Sequence, residues 1–182
     1  MMGVSFSSTH TDNLYHITGG ACPVGAIGMT REFATIIEDK RVQVSGTYNG
    51  NSYALSMMNA VQDYVTEEKQ AKLESISRHL YLHCKELVDT YKMNIIVDYI
   101  GNKGCITFLK RDSVVKEVNN YQDYIKNVDL VVEQLYVLYF INRGLWVQAR
   151  DEWSISYQHT MEDANLFIQT FASFLEHVKE CY

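Results

Sequence analysis

The sequence predicts an α/β protein whose C-terminal lobe is of the α+β type. A glycine-rich segment with short apolar flanks, residues 14–28, is typical of a strand, a tight turn and a second strand. Apolar residues then recur with helical spacing from 53 to 91 and again from 160 to 175. Short segments typical of strands lie between these helical stretches, at 94–100, 104–109, 145–147 and 153–157.

The composition argues against several function classes. The 182 residues carry a net charge of −6 without a basic patch, which argues against nucleic acid or an anionic membrane as partner. No apolar run approaches the ~20 residues of a membrane span, and the N-terminus does not resemble a signal peptide. Four widely spaced cysteines without a CxxC pair indicate reduced, buried thiols, at Cys22, Cys84, Cys105 and Cys181. We therefore expect a cytoplasmic protein.

Two domains are predicted, residues 1–65 and 66–182. In the first, Thr30–Ile37 indicates a short helix that Thr30 caps. Helical spacing then runs through Tyr53–Val65 and Glu67–Tyr91, and Thr66 between them marks either a new helix start or a kink. The longer helix is expected to join the two domains.

The second domain is predicted to contain two strand pairs and two further helices. Gly101–Lys103 is expected to form the turn between the first two strands. A helix from about 128 to 142 should end at Gly144. The apolar face of that helix is predicted to consist of Leu130, Val131, Gln134, Leu135, Leu138 and Tyr139. Thr160 and Asp163 form a capping-box pattern before the last helix, whose apolar side is Ala164, Phe167, Ile168, Phe171, Phe174 and Leu175.

Two glycine-punctuated segments carry most of the functional information. The first is His16-Ile-Thr-Gly-Gly-Ala-Cys-Pro-Val-Gly-Ala-Ile-Gly28, which holds the only proline of the chain. The second, Ser45-Gly-Thr-Tyr-Asn-Gly-Asn51, is a polar turn that opens the helical pattern of Tyr53–Val65. Because the first backbone N–H groups of a helix lack intrahelical acceptors, this turn could face an anion.

These segments resemble the class III aminotransferases, which use pyridoxal phosphate (PLP), and within that family the glutamate-1-semialdehyde aminomutases. The matching stretches follow the family's order and are Gly19–Ala26, Gly46–Asn51, Tyr121–Asp123, Arg143–Trp146 and Ser156–Asp163. The resemblance implies the C-terminal part of a fold-type-I PLP-dependent transferase. Residues 1–65 would be a remnant of the PLP-binding large domain, and residues 66–182 the small domain.

The resemblance also implies a cofactor site in which one group is missing. In the family a lysine before the glycine run holds PLP as a Schiff base, and three residues before Gly19 this chain has His16. An imidazole cannot form a stable imine with an aldehyde, although His16 could exchange protons. Lys40 lies in a charged turn beyond a helix and is not expected to replace the lysine. The family's aspartate for the PLP ring lies further upstream, and Asp12 does not have its spacing.

One implied contact reaches a neighbouring subunit. Gly46, Thr47 and Tyr48 match the family turn that binds the cofactor phosphate of the adjacent active site. Alternatively, Ser45–Asn51 is now only a helix-capping turn, and both interpretations stay open. Ser52 stands where the family usually has proline, which loosens the turn.

No metal site is expected. His79 and His83 are four residues apart on a predicted helix, but no third ligand is suggested, so packing or exposed histidines are the better interpretation. His159 is interpreted as structural at the start of the last helix. Tyr136 and Phe140, with Tyr139, are interpreted as core rather than as a binding stripe.

The sequence therefore predicts the C-terminal part of a PLP-dependent aminotransferase or aminomutase that is not catalytic alone, because His16 occupies the lysine position. The alternative is a non-catalytic interaction module. An incomplete fold exposes strand edges and apolar surface, which the chain would cover as a homodimer or by docking on a longer homologous subunit.

Overall fold

The computed structural model describes residues 29–147 and 152–180. The chain divides into two units, Met1–Thr66 and Glu67–Tyr182. The predicted strand–turn–strand segment with His16 and Cys22 lies outside the described residues, as does Cys181. The assignment of the first unit as a remnant of a cofactor-binding domain stays a prediction.

The first unit contains helices α1 (Arg31–Glu38) and α2 (Ser52–Tyr64). The helix predicted after Thr30 is confirmed, but the Thr30 side chain makes no capping hydrogen bond. None of the residues from 29 to 66 is buried. The described part of this unit therefore has apolar helix faces without a closed core.

Over residues 67–147 and 152–180, the second unit contains four helices and one three-stranded sheet. Its elements are α3 (Glu67–Tyr91), β1 (Ile95–Ile100), β2 (Lys103–Phe108), α4 (Tyr121–Asn127), α5 (Leu130–Ile141), β3 (Glu152–Ser154) and α6 (Met161–Val178). The strands are antiparallel in the order β1-β2-β3. Helix α3 packs on α6 and on β1, and α5 packs on β2. The core thus lies between the sheet and these helices.

Helix α3 starts anew after α2 rather than continuing it through a kink. Val65 is extended, with φ −81° and ψ 108°, so the backbone leaves the helical conformation before Glu67. Glu67 and Glu68 in the first turn complement the helix dipole. The buried face repeats every three or four residues and consists of Leu73, Ile76, Ser77, Leu80, Cys84 and Val88.

The sheet depends on a close approach of Trp153 to a glycine. The predicted hairpin is confirmed, with Gly101 at φ +57° in its turn. Gly104 of β2 pairs with Trp153 of β3, and a Cβ atom on Gly104 would lie 2.1 Å from Trp153 Cζ2. The indole Nε1–H donates to Ser77 Oγ at 3.0 Å and so connects β3 to α3.

The structure corrects the prediction between residues 120 and 142. A separate helix, α4, precedes α5, and the Asn120 side chain caps it by accepting from the N–H groups of Gln122 and Asp123, both at 3.0 Å. Asp129 caps α5 in the same way, accepting from Val131 and Val132 at 3.1 and 3.2 Å. The seven-residue α4 has too few turns for a clear apolar period, whereas its capping asparagine is visible in the sequence.

The predicted buried face of α5 is wrong. The buried residues are Glu133, Tyr136 and Phe140, while five residues of the predicted face are exposed, namely Leu130, Val131, Gln134, Leu135 and Leu138. The Glu133 carboxylate accepts from the Tyr124 hydroxyl at 2.6 Å, which supplies the polar partner that a buried acid needs. The interpretation of Tyr136 and Phe140 as core is confirmed.

After residue 142, the predicted helix ends are confirmed, whereas the predicted strands are absent or shorter than expected. Gly144, at φ +82°, ends α5, and Leu145 N–H donates back to Phe140 O at 3.0 Å. The predicted strand at 145–147 does not form, and β3 is shorter than the predicted 153–157. The capping box of α6 is confirmed, and its predicted apolar side is buried except for the half-buried Ile168.

No membrane-spanning helix is found within residues 29–147 and 152–180, since none of the helices there has the length and apolar character needed to cross a bilayer.

We expect Gly104→Ala to destabilise the second unit by about 1–3 kcal/mol, because the added methyl group would collide with the Trp153 ring and the Asp98 carbonyl oxygen. Urea denaturation measures the loss. The control is Gly101→Asn, since no atom lies within 4 Å of a Cβ there and asparagine tolerates a φ of +57°. Equal stability of Gly104→Ala and wild type would contradict the close packing of Gly104 against the Trp153 ring.

Hydrogen bonds from the Thr160 backbone N–H and then from its hydroxyl lower the pKa of Asp163 from 3.8. A lowered folded-state pKa contributes stability above the unfolded-state value, and this contribution is lost as pH falls through the folded-state pKa. We expect Asp163→Asn to be less stable than wild type at pH 7 and the difference to disappear in acid. Denaturation midpoints across pH test this, and a difference that does not change with pH would exclude the linkage.

Candidate functional site

The segment Ser45–Asn51 forms a tight turn directly before α2. The N–H of Asn49 donates to Gly46 O at 3.0 Å, and the N–H of Asn51 donates to Tyr48 O at 3.2 Å. Gly50 has a φ of +69°, which favours glycine. A Cβ atom on Gly46 would lie 2.9 Å from Asn49 Oδ1. Gly50 therefore has a conformational reason within the turn itself, whereas the contact at Gly46 is with the end of the flexible Asn49 side chain.

Asn51 is the N-cap of α2. Its Oδ1 accepts from the N–H groups of Tyr53 at 2.9 Å and Ala54 at 3.2 Å. The capping role of the turn is therefore confirmed, and it is compatible with a second role for the residues before Asn51. Ser52 occupies the first helical position, where proline is favoured because its φ is already helical.

Gly46, Thr47 and Tyr48 lie together at the exposed tip of the turn, where Tyr48 is 82% exposed. Among the described residues, the N–H groups of Thr47 and Tyr48 and the Thr47 hydroxyl have no hydrogen-bond partner. No acidic residue occurs between 40 and 52. Three adjacent donors without a nearby carboxylate suit a phosphate group, so these residues fit the phosphate end of PLP.

The amine that would hold PLP covalently is not found at this turn. His16 lies outside the described residues. Lys40 ends α1 with a φ of +56°, and the N–H of the following Arg41 donates to Ile36 O at 3.0 Å. Its backbone therefore has a helix-terminating role, and the expectation that it does not replace the lysine stays a prediction.

The two histidines of α3 have separate partners. His79 Nε2 lies 2.8 Å from Asn165 Oδ1 on α6, and His83 Nδ1 lies 3.5 Å from Glu86. The two rings meet edge to face with centroids 4.4 Å apart. Within residues 29–147 and 152–180 no group of three His, Cys, Asp or Glu side chains could hold a metal ion. His159 Nδ1 accepts from the Ser156 N–H at 2.9 Å, which is a structural contact before α6.

The described cysteines are a buried and a half-buried thiol. Burial raises the pKa of the Cys84 thiol far above its usual range, so the group stays protonated and inert in the core. Cys105 lies half-buried on β2. Neither thiol is arranged as a nucleophile.

The fold is that of part of a PLP-dependent transaminase subunit. A structure described as a transaminase with PLP bound matches 90% of this chain and 37% of its own, with a TM-score of 0.70 at 14% identity. A β-phenylalanine aminotransferase from Variovorax paradoxus matches with a TM-score of 0.69 at 20% identity, over 89% of this chain and 37% of its own. The predicted fold class is confirmed, and the match is consistent with a C-terminal part.

The resemblance to glutamate-1-semialdehyde aminomutases is confirmed as well. Such an enzyme from Thermosipho melanesiensis is 27% identical over 170 residues, which cover 90% of this chain and 38% of that protein. The structure of an aminomutase from Pseudomonas aeruginosa in complex with PMP matches with a TM-score of 0.72 at 17% identity, over 87% of this chain and 37% of its own. No protein-family model matches the chain. The chain thus spans under two fifths of the length of these relatives.

The apolar character of the exposed side of α5 was not predicted from the sequence. Five apolar side chains point outward there, namely Leu130, Val131, Leu135, Leu138 and Ile141. We call them the outer face of α5. The signal was present in the sequence, since Leu130–Ile141 contains a single charged residue, Glu133. A helix that is apolar on every side needs a partner on every side.

We expect Asn51→Ala to weaken α2 by about 1 kcal/mol, because the N–H groups of Tyr53 and Ala54 lose their acceptor. Their amide hydrogen exchange should become about fivefold faster, whereas Asn51→Asp, which keeps the acceptor, should retain wild-type rates. Equal exchange in wild type and Asn51→Ala would show that the cap does not hold the helix start.

Proposed function

We propose that this chain is the C-terminal part of a PLP-dependent aminotransferase or aminomutase acting on an amino acid or an amino-acid semialdehyde, and that it is not catalytic alone. Similarity to the aminomutase of Thermosipho melanesiensis supports the class. The chain corresponds to only 38% of that relative, so the proposal concerns one part of such an active site.

This proposal depends on the identity of residue 16, which is a histidine and lies three positions before Gly19. The glycine run and its Pro23-Val-Gly-Ala continuation match the family, yet the position of the Schiff-base lysine is His16. PLP, when bound, supplies an electron sink at the substrate carbon, and a lysine amine is what holds it and moves the proton. Imidazole can move a proton but cannot hold the aldehyde.

The turn before α2 would contribute to a neighbouring active site. The free N–H groups of Thr47 and Tyr48 and the Thr47 hydroxyl would donate to the phosphate of a cofactor held there. The Asn51 cap and the left-handed Gly50 hold these donors in place. This contact requires a second subunit.

A second candidate function is a non-catalytic interaction module derived from the same family. It is favoured by the outer face of α5 and by the first unit, whose residues 29–66 include none that is buried. The chain would cover these surfaces as a homodimer or by docking on a longer homologous subunit. The protonated, buried Cys84 suits a reducing compartment such as the cytoplasm.

We expect the purified chain to form no stoichiometric covalent adduct when incubated with PLP and reduced with borohydride, because the lysine position is His16. Intact mass and peptide mapping are the measurements, with an active aminomutase as the positive control. The variant to compare with wild type is His16→Lys. An adduct confined to the introduced lysine would show that position 16 can still hold PLP once an amine is present.

A single, fully reduced adduct on one native lysine of the wild-type chain would exclude the proposal. Scattered, substoichiometric labelling of exposed lysines is the expected background and supports it. An independent readout is the NMR titration of the chain with inorganic phosphate. Shifts at the amides of Thr47 and Tyr48 that are lost in Thr47→Val support the phosphate contact, and their absence argues against it.

A further inference from the structure

The outer face of α5 has no role in the core of its own unit. On the opposite side of the helix, Tyr136 and Phe140 are fully buried, and the Tyr136 ring lies 5.7 Å from that of Phe174 on α6. Val131 and Leu138 on the outer face are 67% and 64% exposed. The outer side therefore presents an apolar strip, interrupted by the exposed Gln134, beside a closed core.

The strip has the spacing of a helix-pairing seam. Val131, Leu135, Leu138 and Asn142 follow one another at intervals of four, three and four residues, which places them on one line along the helix. The only charged residue of α5, Glu133, is buried and bonded to Tyr124. A second copy of this surface would thus meet it without repulsion between like charges.

We propose that this seam pairs with the same seam of a second copy of the chain, with the two α5 helices antiparallel. This inference rests on the second candidate function, the interaction module, and it assigns the outer face of α5 as the surface through which two copies associate. A two-fold axis between Leu135 and Leu138 places Leu135 against the partner's Leu138, and the same contact is repeated by symmetry. The helix dipoles then oppose one another favourably.

Charges at the two ends of α5 select the antiparallel orientation. Asp129 lies at the N-terminus, where its Oδ1 caps the helix. Arg143 follows the C-terminus, and its guanidinium stacks on the Tyr139 ring at 3.4 Å. Antiparallel pairing sets Asp129 near the partner's Arg143 at both ends, whereas parallel pairing would bring like charges together.

A groove at the C-terminal end of α5 fits the opposing helix start. It has a volume of about 590 Å³ and is lined by Leu138, Tyr139, Arg143, Phe174 and Val178, among others. In the antiparallel pair the partner's Leu130 lies next to this groove. A leucine side chain in an apolar groove is the knob-into-hole contact of paired helices.

One helix face is smaller than the ~800 Å² per partner of a standard stable interface, so the dimer should be weak, with a Kd on the order of micromolar. Sedimentation of the full chain between about 1 and 200 µM, a range set by that estimate, should show a reversible monomer–dimer equilibrium. Leu138→Glu should weaken it on the order of tenfold or more, since in each copy a carboxylate would be buried against the partner's Leu135 without a polar partner. The matched control is Leu82→Glu, an equally simple change of a 50% exposed leucine on α3, and it should leave the affinity unchanged.

Two further variants test the orientation. Asp129→Asn keeps the capping acceptor and removes the charge, so it should weaken the dimer and reduce its salt dependence while thermal stability stays near wild type. Leu135→Cys and Leu138→Cys chains, mixed under oxidation, should form the mixed 135–138 disulfide in preference to either homodimer, as mapped by mass spectrometry.

A monomer at all concentrations overturns the inference, and so does a dimer that Leu138→Glu and Leu82→Glu affect equally. Preferential 138–138 crosslinking overturns the antiparallel arrangement. A monomer that instead binds a longer homologous subunit assigns the seam to that partner and also overturns self-pairing. None of these results depends on PLP, so failure here is distinguishable from failure of the borohydride test.

Discussion

Burial of an aromatic cluster between β2, α5 and α6 is the constraint on which the second unit depends. Phe108, Tyr136, Phe140, Phe171 and Phe174 are each at most 1% exposed. The rings of Tyr136 and Phe140 lie 4.3 Å apart and those of Phe108 and Phe174 lie 5.7 Å apart, in tilted and edge-to-face arrangements. Because each buried aromatic side chain removes about 150–250 Å² from water, this cluster contributes a large share of the apolar burial in the unit.

The cluster also fixes which side of α5 faces out. Tyr136 and Phe140 are four residues apart, so both can enter the core only if the line of Leu135 and Leu138 faces away from it. The large rings take the interior and displace the smaller aliphatic side chains to the surface. The same packing that stabilises the fold therefore creates the apolar seam from which association is inferred.

In the turn before α2, some residues have a structural role and others do not. Gly50 and Asn51 have demonstrable conformational and capping roles, and their identities are explained without a ligand. Tyr48 contributes its carbonyl oxygen to the turn, whereas the N–H groups of Thr47 and Tyr48 have no hydrogen-bond partner among the described residues. The backbone geometry of the turn is thus sufficient reason for Gly50 and Asn51, whatever the neighbouring residues do.

The sequence by itself determined the class of fold, the hairpin around Gly101, the helix end at Gly144 and the capping box of α6, because these depend on contacts a few residues apart. It left open whether the helix starts anew or only bends at Thr66, and the structure shows a new helix there. The sequence also carried the resemblance to the aminomutases. Only the tertiary structure decided that α4 is a separate helix and that residues 145–147 form no strand. Only packing decided the buried face of α5, since in a helix apolar on every side the choice lies with the distant aromatic rings that compete for the core.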